Sequence, residues 1–385
     1  MRSVSIVGIG RTAVAEHWAL SLRDLAAEAA EAAYVDADRI DSIDMLFVGN
    51  MLAGELSRQE QLGALVAETA GLSGIEAIRV EAGDASGGAA LRQAYIAVAG
   101  GLAEVAMVLG VEKPTDIVGH ERTSAFAYVL DAELEAELGA TPAAMAGLLM
   151  RRYMHEYGYE LADFGGFSVN AHANGARNQL AMYRNTLRAE KFTRAPVVAD
   201  PVSLFDAAPE GDGAAALIIT TTERARDMVS SPVAITGSAL ATDFLAVQNR
   251  RDPLFLSAAA ESASKAYQQA GIAPDDVDLF EVHDSFTIMT TLALEAAGFA
   301  ERGQGVALAQ EDVIGLAGSL PLATFGGLKA RGHAGGATGV LQTVEAVLQL
   351  RGAAGENQVP GARTAMVQGL AGTGATAVTH ILQTI

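Results

Sequence analysis

The chain alternates short apolar runs with amphipathic segments, and their order predicts an α/β fold. Residues 3–8 form an apolar run typical of a strand. Ser21 and Asp24 then form the Ser-x-x-Asp pattern that opens a helix. The apolar positions of this helix recur at helical spacing, at Leu22, Leu25, Ala29 and Ala32. Residues 43–48 are mostly apolar and predict a strand covered on both faces, which completes a β–α–β unit.

The same order of elements returns in the second half of the chain. Residues 233–237 predict a strand, residues 257–270 a helix and residues 277–282 another strand. Each half also contains a glycine-rich, helix-opening segment, Asp84-Ala85-Ser86-Gly87-Gly88 in the first and His333-Ala334-Gly335-Gly336-Ala337 in the second. The repeat predicts two duplicated halves with mostly parallel sheets covered by helices.

On this interpretation the chain consists of two halves, and the first half contains an insertion. The N-terminal half spans residues 1–230 and the C-terminal half spans residues 231–385. Within the first half, residues 116–199 change to helices and loops rich in Met, Tyr, Arg and Asn, which indicates an insertion. Long insertions of this kind usually carry recognition. A surface excursion that only supports an oligomer would show the same pattern.

The composition limits the chemistry that the chain can perform. Half of its 385 residues are hydrophobic, and 26 Lys and Arg stand against 46 Asp and Glu, for a formal net charge of −20. This excess of acidic residues argues against nucleic-acid binding. An anionic substrate would need a binding-site entrance with locally positive charge. The chain has no cysteine, which excludes a disulfide, a zinc–thiolate site, an iron–sulfur cluster and a thiol nucleophile.

The sequence contains neither a predicted membrane span nor a predicted export signal. The longest weakly polar stretch, residues 94–111, contains Gly100, Gly101 and Glu104, and this favours a buried helix followed by a buried strand. Residues 1–11 lack the long apolar core of a secretory signal. We therefore expect a cytoplasmic protein without membrane contact.

Two candidate segments follow predicted strands. Residues 80–91 pass through a tight turn into a helix whose first residues are small, and the free N–H groups there favour an anion or oxyanion. The alternative is close helix packing with Asp84 as an ordinary N-cap. His283-Asp284-Ser285-Phe286 lies where α/β proteins place binding groups, with a structural histidine as the alternative. Adjacent residues of an extended strand point to opposite faces, so this segment is not a serine triad.

Two further segments are rich in glycine. Residues 326–339 surround His333 with glycines and with two cations, Lys329 and Arg331, which permits close backbone approach to a ligand. The segment lacks the Gly-Lys-Ser/Thr ending of a phosphate-binding loop, so nucleotide hydrolysis is excluded. Residues 368–375 form a turn before an apolar strand at residues 376–382, for which the alternative is a tight hairpin.

In this order, the segments resemble the thiolase superfamily over essentially the whole chain, and most closely its sterol-carrier-protein-type and archaeal branch. The blocks typical of that branch are Cys-Ala-Ser/Thr-Gly, His-Asp-Cys/Ala-Phe and Gly-His-Pro-x-Gly-Ala-Thr-Gly. Here they read Asp84-Ala85-Ser86-Gly87, His283-Asp284-Ser285-Phe286 and Gly332-His333-Ala334-Gly335-Gly336-Ala337-Thr338-Gly339. Supporting matches are residues 200–206 with residues 212–216, and residues 172–178.

The resemblance implies a thiolase-like duplicated five-layer αβαβα fold, with the inserted region covering a coenzyme A tunnel. It also implies a homodimer or homotetramer, and pairing with a small OB-fold protein as in archaeal-branch relatives. Members of the family join or cleave carbon–carbon bonds beta to a CoA thioester. Their nucleophile is a Cys at a helix N-terminus, activated by the His of the Gly-His-Pro block. A coenzyme A thioester is then the expected substrate or ligand, with no tightly bound cofactor and no metal.

The chain departs from this family at its cysteines. Asp84 occupies the position of the nucleophilic Cys, Ser285 that of the second Cys in the sterol-carrier branch, and Gln368 lies near the position used by classical thiolases. Attack of a carboxylate on a thioester would give a mixed anhydride, far less stable than an acyl-Cys, so ordinary thiolysis is not expected. His283, His333 and the helix N-terminus could still bind a thioester oxygen and stabilise an enolate.

Three functions remain open. The first is a carbon–carbon lyase or transferase that needs no acyl-enzyme, such as a retro-aldolase of the kind that degrades steroid side chains. The second is an acyltransferase that uses Asp84 in an atypical way, and the third is a non-catalytic acyl-CoA-binding subunit of a larger complex. The predicted catalytic residues are Asp84, His283, His333 and Ser285. The predicted CoA- or substrate-binding residues are Gly332, Gly335, Ser86, Leu370, His172 and Met145.

Overall fold

The computed structural model describes residues 2–38, 40 and 42–385. Over these residues the strands are β1 Val4–Arg11, β2 Met45–Gly49, β3 Glu76–Val80, β4 Val105–Glu112, β5 Val197–Ala199, β6 Val202–Ser203, β7 Gly213–Thr221, β8 Val233–Thr242, β9 Leu279–Glu281, β10 Thr364–Ala371 and β11 Thr376–Thr384. The α-helices are α1 Leu22–Asp36, α2 Ala53–Leu56, α3 Leu62–Thr69, α4 Ser86–Gly100, α5 His120–Ala127, α6 Pro142–Tyr157, α7 Gly165–Gly175, α8 Ala189–Phe192, α9 Thr222–Met228, α10 Ser257–Ala270, α11 Thr287–Ala296, α12 Glu311–Ile314, α13 Gly327–Ala330 and α14 Thr338–Leu350. Short 3-10 helices span Ala136–Leu138, Leu161–Phe164, Val247–Asn249, Pro274–Asp276, Gly305–Leu308, Gly335–Ala337 and Gly355–Asn357.

The strand order of the main sheet is nearly symmetric about its centre. Within the described residues nine strands follow the order β3-β2-β4-β7-β1-β8-β11-β10-β9, and β5 pairs only with β6. The two central strands, β1 and β8, are joined by two residue pairs, Ser5 with Ala234 and Ile6 with Val233. Each half therefore contributes its own run of strands, and the first strand of each run lies at the junction. This order agrees with a duplicated fold, whereas the predicted boundary near residue 230 remains a prediction.

The prediction of mostly parallel sheets is wrong. β2 runs parallel to β3 and β4, and β9 runs parallel to β10. The pairs β1–β7, β1–β8, β4–β7, β8–β11 and β10–β11 are antiparallel. Helical crossovers produce the parallel pairs, but β11 follows β10 through a tight hairpin, and a hairpin forces antiparallel pairing.

The first predicted β–α–β unit is confirmed as β1, α1 and β2. The helix begins with the predicted capping box, because the Ser21 hydroxyl accepts from the Asp24 N–H at 3.2 Å and the Asp24 carboxylate accepts from the Ser21 N–H at 2.8 Å. The second unit is confirmed as β8, α10 and β9. β9 is shorter than the apolar run that predicted it, since it covers only Leu279–Glu281.

Helices occupy both outer faces of the sheet and the space between its two halves. α1 and α3 cover the outer face of the first half, and α10 and α11 contribute to the core on the outer side of the second half. α4 and α14 pack between the halves and against each other. This is the five-layer αβαβα arrangement expected for the fold.

The two central helices approach each other at their N-termini because glycines face each other there. A Cβ at Gly87 would lie 2.7 Å from the backbone oxygen of Gly336, and a Cβ at Gly339 would lie 2.5 Å from the backbone nitrogen of Gly88. Real Cβ atoms do not pack this closely, so any larger residue would separate the helices. The close crossing brings the segments that precede α4 and α14 together at one end of the molecule.

The predicted insertion, residues 116–199, contains α5 to α8 and strand β5. α6 packs against α11 and against β6, so part of the inserted region contributes to the core. Among the described residues, no helix is both long and apolar enough to cross a membrane.

Candidate active site

Asp84 lies in the turn between β3 and α4, and its carboxylate joins three segments of the chain. Oδ1 accepts a hydrogen bond from Nε2 of His333 at 3.1 Å, and Oδ2 accepts from the backbone N–H of Gly372 at 3.0 Å. Asp84 and His333 are both buried. The N-cap of α4 is Ala85, without a side-chain cap bond, so Asp84 is not an ordinary N-cap. The start of α4, the segment before α14 and the β10–β11 hairpin therefore meet at this carboxylate.

Hydrogen bonds to both the ring and the backbone of His333 hold this residue in place. Its Nδ1 is hydrogen-bonded to the Thr338 hydroxyl at 2.9 Å, which leaves Nε2 facing Asp84. Its backbone N–H donates to the oxygen of Pro209 at 2.8 Å, and its backbone oxygen accepts from Gly211 at 2.9 Å. These bonds fix the orientation of the imidazole. The sequence does not predict this contact, because a lone Thr gives no signal of a hydrogen bond to a histidine.

His283 lies beside this pair with both ring nitrogens unpaired. Its ring stands at 88° to that of His333, with centroids 5.6 Å apart. The residue is buried, and neither ring nitrogen has a hydrogen-bond partner among the described residues. Burial, and then the charge of His333, lower the pKa of His283 to about 3. The imidazole is therefore neutral near pH 7, and its N–H is an unpaired donor beside the Asp84–His333 pair.

The carboxylate of Asp84 is ionised despite its burial. Burial raises its pKa, but the hydrogen bond and charge of His333 and the N–H of Gly372 outweigh this effect and lower the pKa below its ordinary value. Each oxygen of this ionised carboxylate has one hydrogen-bond partner, so the group is held in position to accept a proton.

A second carboxylate, Glu210, lies at the same site and was not predicted. Its Oε2 is 3.1 Å from Nε of Arg122. Burial raises the pKa of Glu210, and the charge of Asp84 adds to this, whereas Arg122 and His333 act in the opposite direction. Glu210 precedes the quoted segment at residues 212–216, but one glutamate in a loop gives no sequence signal of a site.

These groups line a cavity of about 260 Å³. Its lining is mixed, with residues that carry hydroxyl and carboxyl groups as well as apolar residues. The lining residues are Asp84, Thr123, Phe126, Val129, Thr141, Pro142, Ala143, Val198, Ala207, Ala208, Glu210, Ser285, Phe286, His333 and Gly372. Of the four predicted catalytic residues, the structure places Asp84, His333 and Ser285 on this cavity, and His283 beside Asp84 and His333.

The six predicted binding residues do not line this cavity. Ser86 is buried in the turn, where its hydroxyl accepts from the Ala82 N–H at 2.9 Å and donates to the Gly83 oxygen. Met145 and Leu370 are buried in the core. Their assignment to CoA or substrate remains a prediction.

The remaining three predicted binding residues have structural contacts. His172 stacks on Tyr183 at a centroid distance of 6.0 Å. Gly332 and Gly335 both adopt positive φ, 109° and 43°, which a glycine permits without strain. Each therefore shapes the loop that presents His333.

Gln368 and Asp284, which lie in two of the candidate segments, also stabilise the framework. Gln368 is buried, and its amide donates to Thr379 Oγ1 at 3.0 Å and to the Ala259 oxygen at 3.3 Å. Asp284 accepts from the backbone N–H of Leu328 at 2.7 Å. The aspartate of the His-Asp-Ser-Phe segment thus holds the start of α13.

Asp84, His283 and His333 are the described residues whose oxygen and nitrogen atoms come near enough to hold a metal ion. These atoms lie within 4.8 Å of one another. A tetrahedral ion with bonds of about 2.0–2.1 Å needs donor atoms roughly 3.3 Å apart. The Asp84–His333 pair meets this spacing, whereas His283 would have to move toward it. The expectation of a site without a metal therefore remains a prediction.

Comparison with known proteins gives family-level matches along nearly the whole chain. Residues 4–223 match the model of the thiolase N-terminal domain, and residues 239–384 match that of the thiolase C-terminal domain-like family. The chain is 41% identical over 382 residues to the acetyl-CoA acetyltransferase of Methanothermobacter thermautotrophicus, and the match covers 99% of each chain.

Two further matches are lyases or aldolases. The chain is 30% identical to the 17-hydroxy-3-oxo-4-pregnene-20-carboxyl-CoA lyase of Mycobacterium tuberculosis, over 75% of this chain and 77% of that protein. The solved structure of an Ltp2–ChsH2(DUF35) aldolase superposes with a TM-score of 0.84 and 28% identity, covering 99% of this chain and 97% of that one. Both transferases and lyases are thus found among the proteins that this chain resembles.

Proposed function

The chain belongs to the thiolase superfamily of enzymes, and on this premise we propose that it cleaves or forms the carbon–carbon bond beta to a CoA thioester by an aldol route, without an acyl-enzyme. The observation that carries the proposal is Asp84. It occupies the position where the family resemblance expects the nucleophilic Cys, in a chain that has no cysteine. Its carboxylate is hydrogen-bonded to His333 and faces the cavity.

A carboxylate in this position is a poor acyl acceptor. Its attack on a thioester would expel the thiolate and leave a mixed anhydride, which is more reactive than the thioester it came from. The hydrogen bonds from His333 and Gly372 also stabilise the anion and so lower its nucleophilicity. The same hydrogen bonds weaken the carboxylate as a base, but acid–base catalysis needs only a positioned, ionised group and no covalent bond.

An aldol cleavage uses the observed groups as follows. The base, Asp84 with His333, removes the proton of the hydroxyl on the β carbon. The electron pair of that O–H bond forms the carbonyl, the bond between the α and β carbons breaks, and its electrons form the enolate of the thioester. The N–H of His283 donates to the enolate oxygen. A proton then returns to the α carbon, so the products are a ketone or aldehyde and a shortened acyl-CoA.

The substrate that fits this chemistry is a β-hydroxyacyl-CoA. The apolar wall of the cavity would contact the acyl chain, and the hydroxyls of Thr123, Thr141 and Ser285 lie on the same cavity to bind polar groups. The CoA lyase and the aldolase reported above support this class of reaction. A coenzyme A thioester is then the substrate, without a tightly bound cofactor.

The test is to incubate the purified protein with a panel of acyl-CoAs and β-hydroxyacyl-CoAs and to identify products by mass spectrometry. We expect a ketone or aldehyde together with a shortened acyl-CoA in equal amounts. Release of free CoA with an acylated acceptor would instead support acyl transfer. Binding without any product would support a non-catalytic subunit.

Acyl transfer is the second candidate, and one observation favours it. The relative with 41% identity over nearly the full length is named an acetyl-CoA acetyltransferase. Exchange of labelled CoA into acetoacetyl-CoA measures this activity directly. Exchange by the wild-type chain that is lost in Asp84→Asn would establish a transferase that uses a carboxylate.

We also propose that the chain assembles with itself and with a small partner protein. The aldolase of similar fold was solved as a complex with ChsH2, a DUF35 protein. Co-expression with a protein of that family, followed by size-exclusion chromatography with light scattering, would measure both the partner and the number of copies. A single-chain monomer under both conditions would contradict the proposal.

A further inference from the structure

Glu210 is held beside His333 by the backbone on both sides of it. The preceding residue, Pro209, accepts a hydrogen bond from the His333 N–H at 2.8 Å, and the following residue, Gly211, donates to the His333 oxygen at 2.9 Å. Glu210 and His333 thereby form an isolated parallel bridge. The side chain of Glu210 lines the same cavity as Asp84. Its position relative to the Asp84–His333 pair is therefore fixed by main-chain contacts.

The charged groups that face Glu210 are few. Nε of Arg122 lies 3.1 Å from Oε2 of Glu210, and His333 and Asp84 act on Glu210 through their charges. About a third of the side chain, 32%, is exposed, compared with 9% for Asp84. Glu210 thus reaches both the cavity and the solvent.

The cavity needs a second acid–base group, and Glu210 is the residue that remains. Among the described residues that line it, Asp84, Glu210 and His333 are the titratable ones. Asp84 and His333 are hydrogen-bonded to each other and serve as one base in the proposed aldol route. The hydroxyl of Ser285 also lines the cavity, but a serine hydroxyl is not an acid at neutral pH. An aldol cleavage moves two protons, one from oxygen and one to carbon.

We infer that Glu210 is a catalytic residue that delivers a proton to the α carbon of the enolate, while Asp84 and His333 accept the proton of the β-hydroxyl. This inference rests on the proposed aldol function. In the step, the C=C bond of the enolate breaks as its electron pair forms a new C–H bond with the proton of Glu210. The thioester carbonyl re-forms, and Glu210 becomes a carboxylate.

The environments of the two carboxyl groups suit these opposite roles. Burial and the charge of Asp84 raise the pKa of Glu210, whereas His333 and Gly372 lower that of Asp84. Two carboxyl groups whose surroundings separate their pKa values in this way are typical of an acid and a base in one site. Glu210 then regains its proton from water at the cavity mouth, and Asp84 with His333 releases one, so that both groups return to their starting states.

The test measures hydrogen exchange at the α carbon, without cleavage of a carbon–carbon bond. The wild-type protein and Glu210→Gln are incubated with propanoyl-CoA in D₂O, and deuterium in the acyl group is measured by mass spectrometry. We expect the variant to exchange roughly 10²–10⁴-fold more slowly, with its affinity for CoA unchanged. Glu121→Gln is the matched control, because Glu121 is an exposed glutamate beside Arg122, and it should exchange at the wild-type rate.

A second readout separates the two proton transfers. On a β-hydroxyacyl-CoA that the wild type cleaves, Glu210→Gln should release one equivalent of ketone or aldehyde rapidly and then turn over slowly, because only the later step is impaired. Glu210→Asp, which keeps the acid, should recover part of the exchange rate and serves if the Gln variant does not fold.

Wild-type exchange in Glu210→Gln would overturn the inference and leave the aldol function intact. Absence of both exchange and cleavage in the wild type would overturn the aldol function, and the role of Glu210 with it.

Discussion

Oδ1 of Asp84 accepts a hydrogen bond from Nε2 of His333 at 3.1 Å, although the two residues are separated by 249 positions in the chain. The contact exists because α4 and α14 cross where glycines replace side chains, which brings the segments before both helices together. A thiolase-like framework thus presents a hydrogen-bonded Asp–His pair where the family resemblance expects a thiol. The chemistry of the site depends on whether this pair moves protons.

Removing the charge of Asp84 tests its role as a base. Asp84→Asn keeps the shape of the side chain but cannot accept a proton, so we expect kcat on a cleaved β-hydroxyacyl-CoA to fall roughly 10²–10⁴-fold. The affinity for CoA should stay the same or improve, because one negative charge is gone. Steady-state kinetics and calorimetric titration with CoA measure the two effects. Asp275→Asn, at an exposed aspartate in a 3-10 helix, is the control and should behave as the wild type.

Unchanged turnover in Asp84→Asn would eliminate a catalytic role for this carboxylate. Loss of turnover together with loss of CoA binding would indicate damage to the site as a whole, and thermal unfolding of the variant distinguishes that case.

The absence of a thiol predicts that no acyl-enzyme accumulates. Intact-mass analysis after incubation with acetyl-CoA should show the unmodified chain, since a mixed anhydride at Asp84 would hydrolyse or return to CoA. Asp84→Cys places a thiol next to His333. A thiolate next to a histidine is an effective nucleophile. We expect this variant to gain one acetyl group per chain. A stable adduct on Asp84 of the wild type would contradict the prediction.

His283 should matter for rate more than for binding. Its N–H has no partner among the described residues and therefore is free for the enolate oxygen. His283→Ala should lower kcat about 10²–10³-fold, as for the loss of one oxyanion donor, with a smaller change in KM. Since burial and the charge of His333 lower the pKa of His283 to about 3, it should stay neutral between pH 5 and 8. Equal losses in the His283→Ala variant at pH 5.5 and pH 8 would agree, whereas a loss confined to one pH would not.

Much of the site was predictable because its residues lie in segments with strong local patterns. Asp84 precedes a helix with small first residues, and His333 lies within a glycine-rich run, so the sequence alone indicates both. Glu210 acts through contacts made across the fold, and Thr338 through a hydrogen bond to His333 only five residues before it. Neither has a local pattern that distinguishes it from an ordinary Thr or Glu. The predicted binding residues Leu370 and Met145 are apolar, and an apolar residue in a strand or helix is more often in the core.

The fold was predictable to a similar extent. The repeat of strand, helix and strand identifies the duplication, and the Ser21–Asp24 capping box locates the start of α1. Strand direction was not predictable from the local pattern, because it depends on how the chain returns to the sheet. A glycine-rich turn at residues 368–375 permits both a binding loop and a hairpin, and the structure shows a hairpin whose tip also contacts Asp84 through Gly372. The local sequence does not distinguish a binding loop from a hairpin.

A buried histidine outside the site, His380, predicts a pH-dependent contribution to stability. Burial lowers its pKa to about 4, although its Nε2 is hydrogen-bonded to the Gly88 oxygen at 3.0 Å. In the unfolded chain the group titrates near its ordinary 6.5. Between these values the unfolded chain binds a proton that the folded chain does not, so stability falls as pH falls from 6.5 toward 4.

The size of this effect follows from the pH interval. From pH 6.5 to pH 5 the wild type should lose about 2 kcal/mol relative to His380→Gln, at about 1.4 kcal/mol per pH unit. Urea unfolding of both proteins at pH 7 and pH 5 measures the difference in the free energy of unfolding. The comparison with the variant is needed because buried acids such as Glu281, whose pKa burial raises to about 8, contribute in the opposite direction. A difference between the two proteins that does not change with pH would contradict the prediction.

The crossing of α4 and α14 provides the last prediction, since it couples packing to the geometry of the site. A methyl group at Gly87 would lie 2.7 Å from the Gly336 oxygen and 2.9 Å from the Val340 nitrogen, both backbone atoms that cannot rotate away. Gly87→Ala should therefore push the helices apart, lower the free energy of unfolding by about 1–3 kcal/mol and lengthen the contact between Asp84 and His333. Activity should fall in the folded variant as well, because proton transfer needs a hydrogen-bond distance.

The matched control is Gly100→Ala, at the last residue of the same helix, where a Cβ would meet nothing within 4 Å. Alanine has the higher helix propensity, so this variant should be as stable as the wild type or more stable by up to about 1 kcal/mol, with unchanged activity. Thermal unfolding and kcat of the two variants, measured side by side, separate the effect of a methyl group at the crossing from that of any glycine replaced in α4. If Gly87→Ala retained full stability and activity, the close approach of α4 and α14 would not be what holds Asp84 against His333.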